Sequence, residues 1–188
     1  MRVNLLVIDD FYSNVDEVRK FALSQKFLVE GNYPGFRTES FLNESTKKQI
    51  SYHLEPHAGK VLDWMDSSES QYTGAFQISY ACHKSWMHTD NVNNWAGVLY
   101  LTPNAPLEGG TGFYRSKLNG SFYGDSYDEV CGKHAEDMTK WELVNQVSNV
   151  YNRLILFRAD QWHTSQVYFG NTMETGRLTQ VFFFTTEY

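Results

Sequence analysis

The sequence predicts a mainly β fold, a double-sheet jelly roll with N-terminal helices packed on one sheet. Aromatic residues make up 16% of the 188 residues, and such side chains favour half-buried positions on a pleated sheet. From about residue 71 onward, short apolar segments alternate with turn-forming residues, which is typical of a fold with many short strands. The segments before residue 71 have helical periodicity, and an α+β sheet of another topology is the alternative.

The first 70 residues are predicted to form a strand, a turn and two helices. Residues 3–8 are apolar enough for a buried strand. A helix is expected from Ser13 or Asn14 to about residue 25, because Val15, Val18 and Ala22 recur at helical spacing. The other predicted features are a turn at 31–35, a second helix from near Ser45 to its interruption at Pro56, a short amphipathic piece at 61–65 and a connector at 67–70.

The second part of the chain is predicted to be the β core. Polar residues 115–140 form a long excursion, which we interpret equally well as a lid or as a surface insertion. We therefore expect one domain over residues 1–188, with a helical layer at about 1–70 and a β core at about 71–188. The predicted core strands are 75–81, 95–102, 113–114, 143–150, 153–157, 163–169 and 178–185.

Charge and composition argue against several classes of partner. The formal net charge is -6 and no dense Lys/Arg run occurs, so general binding to nucleic acids or membrane surfaces is not expected. The first ten residues hold too short an apolar run for a secretory signal, and no segment is long enough to span a bilayer. Cys82 and Cys131 are the two cysteines, which favours a reducing, cytoplasmic location.

Three side chains are predicted to form a metal site. His88 and Asp90 are two residues apart, and on an extended strand their side chains point to the same face. The best third ligand is His163, which follows the apolar segment Leu154–Phe157. Two histidines and one carboxylate make the facial triad that holds non-haem Fe(II) and leaves coordination positions open. A lone His-x-Asp pair is weak, since solvated histidines are common, and the remaining histidines are interpreted as mainly surface residues.

Arg177 and Thr179 form a second predicted feature, beginning fourteen residues after His163. On a strand both side chains face one side, while Leu178 faces the other. An arginine and a hydroxyl aimed into an aromatic barrel are costly to bury without partners, and a dicarboxylate would satisfy both. The alternative is an ordinary strand-end arginine paired with Asp or Glu.

Taken in order, these motifs resemble those of the Fe(II)/2-oxoglutarate-dependent oxygenases. His88-Thr89-Asp90, His163 and Arg177-Leu178-Thr179 are similar to the His-x-Asp…His…Arg-x-Ser/Thr pattern of that superfamily. The stretches 97–102, 109–111 and 152–157 also resemble its prolyl 4-hydroxylase-like branch. The resemblance covers roughly residues 75–186, and Arg177 stands where many collagen-type prolyl hydroxylases carry Lys.

The resemblance implies a cupin-like double-stranded β-helix core and a dioxygenase that uses Fe(II), 2-oxoglutarate and O2. It implies that His88, Asp90 and His163 are the metal ligands and that substrate C–H oxidation is coupled to decarboxylation of 2-oxoglutarate to succinate and CO2. Arg177 would bind the distal carboxylate of 2-oxoglutarate, assisted by Thr179 or by a tyrosine. The remaining implied cosubstrate contacts are Tyr80 and, more weakly, Tyr100, for which core packing is the alternative. The intact carboxylate of Asp90 favours hydroxylation over halogenation.

The substrate is not specified by the sequence, and a free amino acid, a peptidyl residue and a small metabolite all stay open. Loops at 32–37, 91–95 and 115–140 are expected at the mouth of the barrel, with Arg37, Trp95 and Arg115 as possible substrate contacts. Two other classes of protein compete with the oxygenase. One is a non-catalytic cupin-like metal- or ligand-binding module, and the other is a Zn-dependent hydrolase.

Overall fold

Most of the chain is organised in two antiparallel sheets and two helices. The computed structural model describes residues 2–66, 73–90, 92–124 and 132–188. The elements are β1 (Leu5–Ile8), α1 (Val15–Leu23), β2 (Phe36–Ser40), α2 (Glu44–Ala58), β3 (Val61–Asp63), β4 (Ala75–Ser79), β5 (Trp95–Tyr100), β6 (Thr111–Ser116), β7 (Trp141–Val147), β8 (Leu154–Arg158), β9 (His163–Ser165) and β10 (Arg177–Thr186), with single helical turns at Leu107–Gly109, Gly132–His134 and Met138–Lys140.

The strands pair into one large and one small sheet. Seven strands form the large sheet, in the order β1-β8-β5-β10-β4-β2, and β3 pairs with β10 beyond this path. The small sheet has the order β7-β6-β9. All of these pairings are antiparallel, so the prediction of a mainly β fold of antiparallel sheets is confirmed.

Strand β10 lies near the centre of the large sheet and separates two environments. It pairs with β5 on one side, where Thr179 lies opposite Tyr100, and with β4 on the other, where Arg177 lies opposite Ser79. Leu178 and Phe182 belong to the main apolar core. Because successive side chains of a strand point to opposite faces, Arg177 and Thr179 share the face that turns away from that core.

The main core lies between the large sheet and the two helices. Ala22 of α1 belongs to it, as do Ile50, Leu54 and Ala58 of α2. The α2 positions are four residues apart, so they form one stripe along the helix. Asn43 caps the start of α2 by accepting a hydrogen bond from the backbone N–H of Thr46 at 3.0 Å. The helices therefore cover one face of the sheet and leave the other to the small sheet.

A second apolar cluster joins the large and the small sheet. Phe113 and Val147 of the small sheet pack there with residues of β5 and β8. The buried hydroxyl of Tyr100 lies 2.8 Å from Thr111 Oγ1, which links β5 to β6. These contacts join the two sheets on one side of the space between them.

The structure differs from the expected layout in the first 70 residues, which also contribute β2 and β3. Strand β2 (Phe36–Ser40) was not anticipated, because its sequence is largely polar. Helix α2 continues past Pro56 to Ala58, and the backbone N–H of Gly59 closes the last turn on Glu55 at 3.0 Å. The predicted connector at 67–70 and residues 125–131 of the excursion lie outside the described residues. No described helix is both long and apolar enough to cross a bilayer.

Candidate metal centre and adjoining cavities

The backbone brings His88 beside His163. The two residues form an antiparallel bridge, in which the N–H of each donates to the carbonyl of the other, at 3.2 and 3.0 Å. The N–H of Asp90 donates to the carbonyl of Ala159 at 2.8 Å, just after β8. One potential ligand atom from each of His88, Asp90 and His163 lies within 4.8 Å of the others. The three predicted ligands therefore converge, although His163 follows His88 and Asp90 by more than seventy positions in the chain.

Hydrogen bonds hold both imidazoles in one orientation. Nδ1 of His88 lies 2.9 Å from the carbonyl of Trp86, and Nδ1 of His163 lies 2.9 Å from the carbonyl of Gln161. Since a carbonyl only accepts, each Nδ1 carries the proton and Nε2 is left as the acceptor. Nε2 of His163 lies 3.3 Å from Oδ2 of Asp90. Histidine ligands of metals commonly have this kind of backbone support.

The protonation states also suit a metal site. Burial, reinforced by the neighbouring His163, lowers the pKa of His88 to about 4. Burial alone would raise the pKa of Asp90, but the adjacent imidazole of His163, with smaller effects of His88 and Arg37, lowers it below its usual value. At neutral pH the site thus has a neutral imidazole at His88 and an ionised carboxylate at Asp90, and a metal displaces no proton from either.

A narrow cavity, the inner cavity, extends between the two sheets from this cluster. Phe157, Val181 and Phe183 supply much of its apolar wall. Polar side chains reach it from five strands of the two sheets and from segments between strands. The polar lining comprises Tyr33, Arg37, Gln77, Ser85, His88, Asp90, Thr111, His163, Ser165, Tyr168, Arg177 and Thr179.

Arg177 is the buried cation of the inner cavity, with 3% of its surface exposed. Its Nε donates to the carbonyl of Gly109 at 2.8 Å. Its Nη2 is buried and has no hydrogen-bond partner among the described residues. The guanidinium carbon lies 5.6 Å from the ring centre of Tyr100 and 5.9 Å from that of Tyr168. A buried cation with an unused donor is costly, so the arrangement suits an anionic ligand.

A second arginine, Arg37 of β2, lies where the inner cavity meets a wider one. The wider, outer cavity has a volume of about 230 Å³. The outer cavity shares Tyr33, Arg37, Asp90 and Phe183 with the inner one. Its other lining residues are Asn32, Met65, Val92 and Asn93. Because Asp90 lines both cavities, a molecule in the outer cavity lies against the candidate metal centre.

The comparison with family models gives one match that spans residues 1–184, to a family described as a family of unknown function, DUF6445. The chain belongs to DUF6445. No curated protein matches the sequence.

The fold of this DUF6445 protein is similar to the folds of several solved structures. HygX from Streptomyces hygroscopicus, with nickel and 2-oxoglutarate bound, superposes with a TM-score of 0.66 at 10% identity, over 98% of this chain and 84% of HygX. SnoN, a non-heme alpha-ketoglutarate-dependent epimerase of nogalamycin biosynthesis, gives 0.59 at 13% identity, over 98% and 79%. The carbocyclase SnoK of the same biosynthesis gives 0.53 at 12% identity, over 97% and 79%. The DUF6445 chain thus has the fold of Fe/2-oxoglutarate oxygenases, and the predicted resemblance is confirmed at that level.

The predicted tyrosines lie in different places from those expected. Tyr80 packs against the main core on the helical side of the sheet, and its hydroxyl donates to the sulfur of Met173 at 3.1 Å. It does not line the inner cavity, so its predicted cosubstrate contact is not seen. Polar Gln77 and Ser79 alternate with Phe76, Ile78 and Tyr80 along the chain, and this alternation puts Tyr80 on the apolar face.

Tyr100 lies behind the inner cavity and not in its lining. It is fully buried and bonded to Thr111, whose side chain does line the cavity. Burial raises the pKa of Tyr100, against the opposing effects of Arg177 and Thr111. Tyr100 therefore supports Arg177 and Thr111 from the side of the second apolar cluster. The tyrosines in the lining are Tyr33 and Tyr168, and the sequence analysis singled out neither as a cosubstrate contact.

Two of the three predicted substrate contacts lie away from the cavities. Trp95 is fully buried in the main core, and Arg115 pairs with Glu142 on the surface of the small sheet. Arg37 lines both cavities, and so does Tyr33, over whose ring the guanidinium of Arg37 lies. Gln77, which holds Arg37, was not singled out, since a lone Gln in a strand carries no distinctive signal.

Proposed function

We propose that this DUF6445 protein is an Fe(II)- and 2-oxoglutarate-dependent dioxygenase that hydroxylates its substrate. One observation carries the proposal. The cavity that starts at His88, Asp90 and His163 also contains a buried arginine, Arg177, with an Nη2 donor that no described residue satisfies. A metal site combined with a buried anion site in one cavity is what a metal-bound dicarboxylate requires.

The donor set fits iron(II). Two imidazole nitrogens and one carboxylate make a site with three protein ligands, which leaves coordination positions for other molecules. All three side chains line the inner cavity. His88 and His163 would bind through Nε2, because their Nδ1 atoms are engaged with backbone carbonyls.

Arg177 and Thr179 in the inner cavity suit the distal carboxylate of 2-oxoglutarate. Arg177 would bind it through Nη2, and Thr179, which lines the same wall of β10, would donate its hydroxyl. Gly109 fixes the guanidinium through Nε, and the rings of Tyr100 and Tyr168 flank it. Arg177 is therefore preorganised, so little side-chain entropy is lost when an anion binds.

When bound, iron(II) and 2-oxoglutarate supply the oxidising chemistry, in which O2 provides one oxygen to a substrate C–H bond and one to 2-oxoglutarate, which leaves as succinate and CO2. The chain orients these groups and excludes water. Phe157, Val181 and Phe183 form the apolar wall beside the polar groups, and a dry wall strengthens the electrostatic contacts inside it. We also place the enzyme in the cytoplasm, on the basis of its low cysteine content.

Anaerobic titration followed by oxygen exposure tests the proposal. Fe(II)-loaded protein is expected to bind 2-oxoglutarate without oxygen and to form succinate slowly after oxygen is admitted, even without the substrate. The His163→Ala variant should lose more Fe(II) affinity than the ~10–100-fold that is typical when a residue supporting a metal ligand is replaced. His57→Ala is the matched control, because His57 is exposed on α2.

Three results would contradict the proposal. Wild-type protein that binds Fe(II) but neither binds 2-oxoglutarate nor forms succinate would favour a metal-binding module without catalysis. Hydrolytic turnover with Zn²⁺ and no dependence on oxygen would favour a hydrolase. Equal Fe(II) affinity in His163→Ala and His57→Ala would remove the metal site itself.

A further inference from the structure

We propose that Ser79 of β4 is a further cosubstrate-binding residue, whose hydroxyl donates to the same distal carboxylate that Arg177 binds. The inference rests on the proposed function and adds a donor from a second strand to its anion site. Three observations support it: the position of Ser79 opposite Arg177, the unused hydrogen-bonding atoms of both side chains, and the way the guanidinium is held.

Ser79 lies directly opposite Arg177 in the antiparallel pair of β4 and β10. The Cβ atoms of two directly opposite residues are ~4.5–5.5 Å apart, and their side chains share one face of the sheet. The next pair along the two strands, Ile78 and Leu178, belongs to the main core. Because successive side chains of a strand point to opposite faces, Ser79 and Arg177 both turn away from that core. A group bound at the guanidinium therefore lies beside the hydroxyl of Ser79.

Both side chains keep a buried polar atom that the described part of the chain does not satisfy. Ser79 is fully buried, and Oγ of Ser79 and Nη2 of Arg177 each have no hydrogen-bond partner among the described residues. The two atoms therefore do not bond to each other. An unused buried donor is costly, and a carboxylate accepts about four hydrogen bonds at its two oxygens. One carboxylate would thus satisfy the hydroxyl and the guanidinium together.

The carbonyl of Gly109 fixes the guanidinium of Arg177 through a different nitrogen. This carbonyl accepts from Nε of Arg177 at 2.8 Å and from Nδ2 of Asn149 at 3.2 Å. Asn149 is itself buried, so the carbonyl is held in place from behind. The bond to Nε leaves Nη2 as the unused donor, and the position of the anion is set by Arg177 and by the groups beside it.

Hydroxyl groups flank Arg177 in two directions. Thr179 lies two residues further along β10 and lines the inner cavity, whereas Ser79 lies across the strand pair. The acidic residue among the described residues of the lining is Asp90, which belongs to the candidate metal centre. No carboxylate of the described lining is thus left to occupy the position between Arg177 and Ser79, and the cosubstrate supplies one.

The test compares 2-oxoglutarate with 2-oxopentanoate, in which a methyl group replaces the distal carboxylate. Calorimetry on anaerobic Fe(II)-loaded protein measures the affinity of wild type and of Ser79→Ala for each ligand. Ser79→Ala should bind 2-oxoglutarate at least ~10-fold more weakly, the ratio expected for a hydrogen bond to a charged group. Its affinity for 2-oxopentanoate should change less than ~2-fold, because that ligand offers the hydroxyl no acceptor there. The ratio of the two affinities is the readout, since a change in the fold would weaken both ligands.

Ser116→Ala is the matched control. Ser116 is a fully buried serine of β6 that lines neither cavity, and its Oγ accepts from the backbone N–H of Leu118 at 3.2 Å. This variant should bind both ligands as wild type does. Melting curves without ligand complete the control, because Ser79→Ala removes a hydroxyl with no partner in the described chain and should not melt earlier than wild type.

Each failure has a separate meaning. Wild-type protein that does not bind 2-oxoglutarate overturns the proposed function and this inference with it. Normal binding by wild type, with the same ratio of affinities in Ser79→Ala, overturns only this inference. If Ser79→Ala melts earlier and weakens both ligands equally, Ser79 supports the fold and the inference is also wrong.

Discussion

The two faces of the large sheet differ in whether their buried polar groups have partners within the chain, and β10 contributes side chains to both faces. On the helical face, Leu178, Phe182 and Phe184 are fully buried in the main core. The polar groups there find partners within the chain, since the hydroxyl of Tyr12 donates to Oε1 of Gln180 at 3.0 Å. On the cavity face, Arg177 keeps a buried Nη2 without a partner among the described residues.

This difference separates stability from function within one strand. The helical face satisfies its polar groups and buries its apolar groups, so its residues stabilise the fold. The cavity face of β10 leaves Arg177 as a buried cation with an unused donor, which is unfavourable unless an anion binds. The three candidate metal ligands line the same cavity from other segments of the chain. Substitutions on neighbouring positions of β10 should therefore have different consequences.

The largest expected effect comes from adjacent phenylalanines. Phe182→Ala should lower the free energy of unfolding by about 3–5 kcal/mol, because Phe182 is fully buried in the core. Phe183→Ala should cost about 1–2 kcal/mol, because Phe183 is only partly buried and lines the cavities. Urea denaturation of both variants measures the difference. Equal losses would mean that the two faces are packed alike.

Arg177→Met should sharpen the comparison on the cavity face. Loss of the guanidinium should weaken the binding free energy of 2-oxoglutarate by about 2–5 kcal/mol, the range for truncating one partner of a buried charged pair. The melting temperature of the ligand-free protein should not fall, because an apolar residue replaces an incompletely paired buried charge.

Arg153→Met is the matched control for Arg177→Met. Arg153 pairs with Asp9 at the surface and lines neither cavity, so calorimetry should give wild-type affinity for 2-oxoglutarate. An Arg177→Met variant that melts earlier but binds 2-oxoglutarate normally would make Arg177 a structural residue.

The smallest effect concerns Tyr12 on the helical face. Burial raises the pKa of Tyr12 to about 12, against the opposing hydrogen bond of Thr46, whereas an unfolded tyrosine titrates near 10. Between these values the unfolded chain loses the proton first, so stability falls as pH rises, by up to about 1.4 kcal/mol per pH unit.

The Tyr12→Phe variant should lose this pH dependence. Its free energy of unfolding should fall less than that of wild type between pH 8 and pH 11, by about 1 kcal/mol. Tyr52→Phe serves as the control, since Tyr52 is 78% exposed. An identical pH dependence in wild type and Tyr12→Phe would mean that Tyr12 is not buried in solution.

Much of the fold and the site could be predicted from local sequence patterns. Short apolar segments between turn-forming residues located β4, β5, β8 and β10, and in β4 the alternation with a period of two follows directly from the pleat of a strand. The same rule put Arg177 and Thr179 on one face, apart from Leu178. Residue chemistry and spacing indicated that His88, Asp90 and His163 belong together, and the structure brings them within ligand distance of one another.

Other features depended on pairings that local patterns do not reveal. Strand β2 has no apolar alternation and exists because it pairs with β4, and this pairing is what carries Arg37 to the cavities. Trp95 and Arg115 were both expected as possible substrate contacts, but Trp95 packs in the main core and Arg115 lies at the surface of the small sheet.

The sequence by itself determined most strands of the β core, the side-chain types of the candidate metal site and the side of β10 that carries Arg177, because periodicity and chemistry are local properties. Only the tertiary structure decided which face of each strand is covered by helices and which by the cavity. That choice assigned Tyr80 to the core, brought Tyr168 to the lining and set Arg37 between the two cavities. The physical reason is that strand register and sheet order join residues far apart in the chain, and alternation does not specify them.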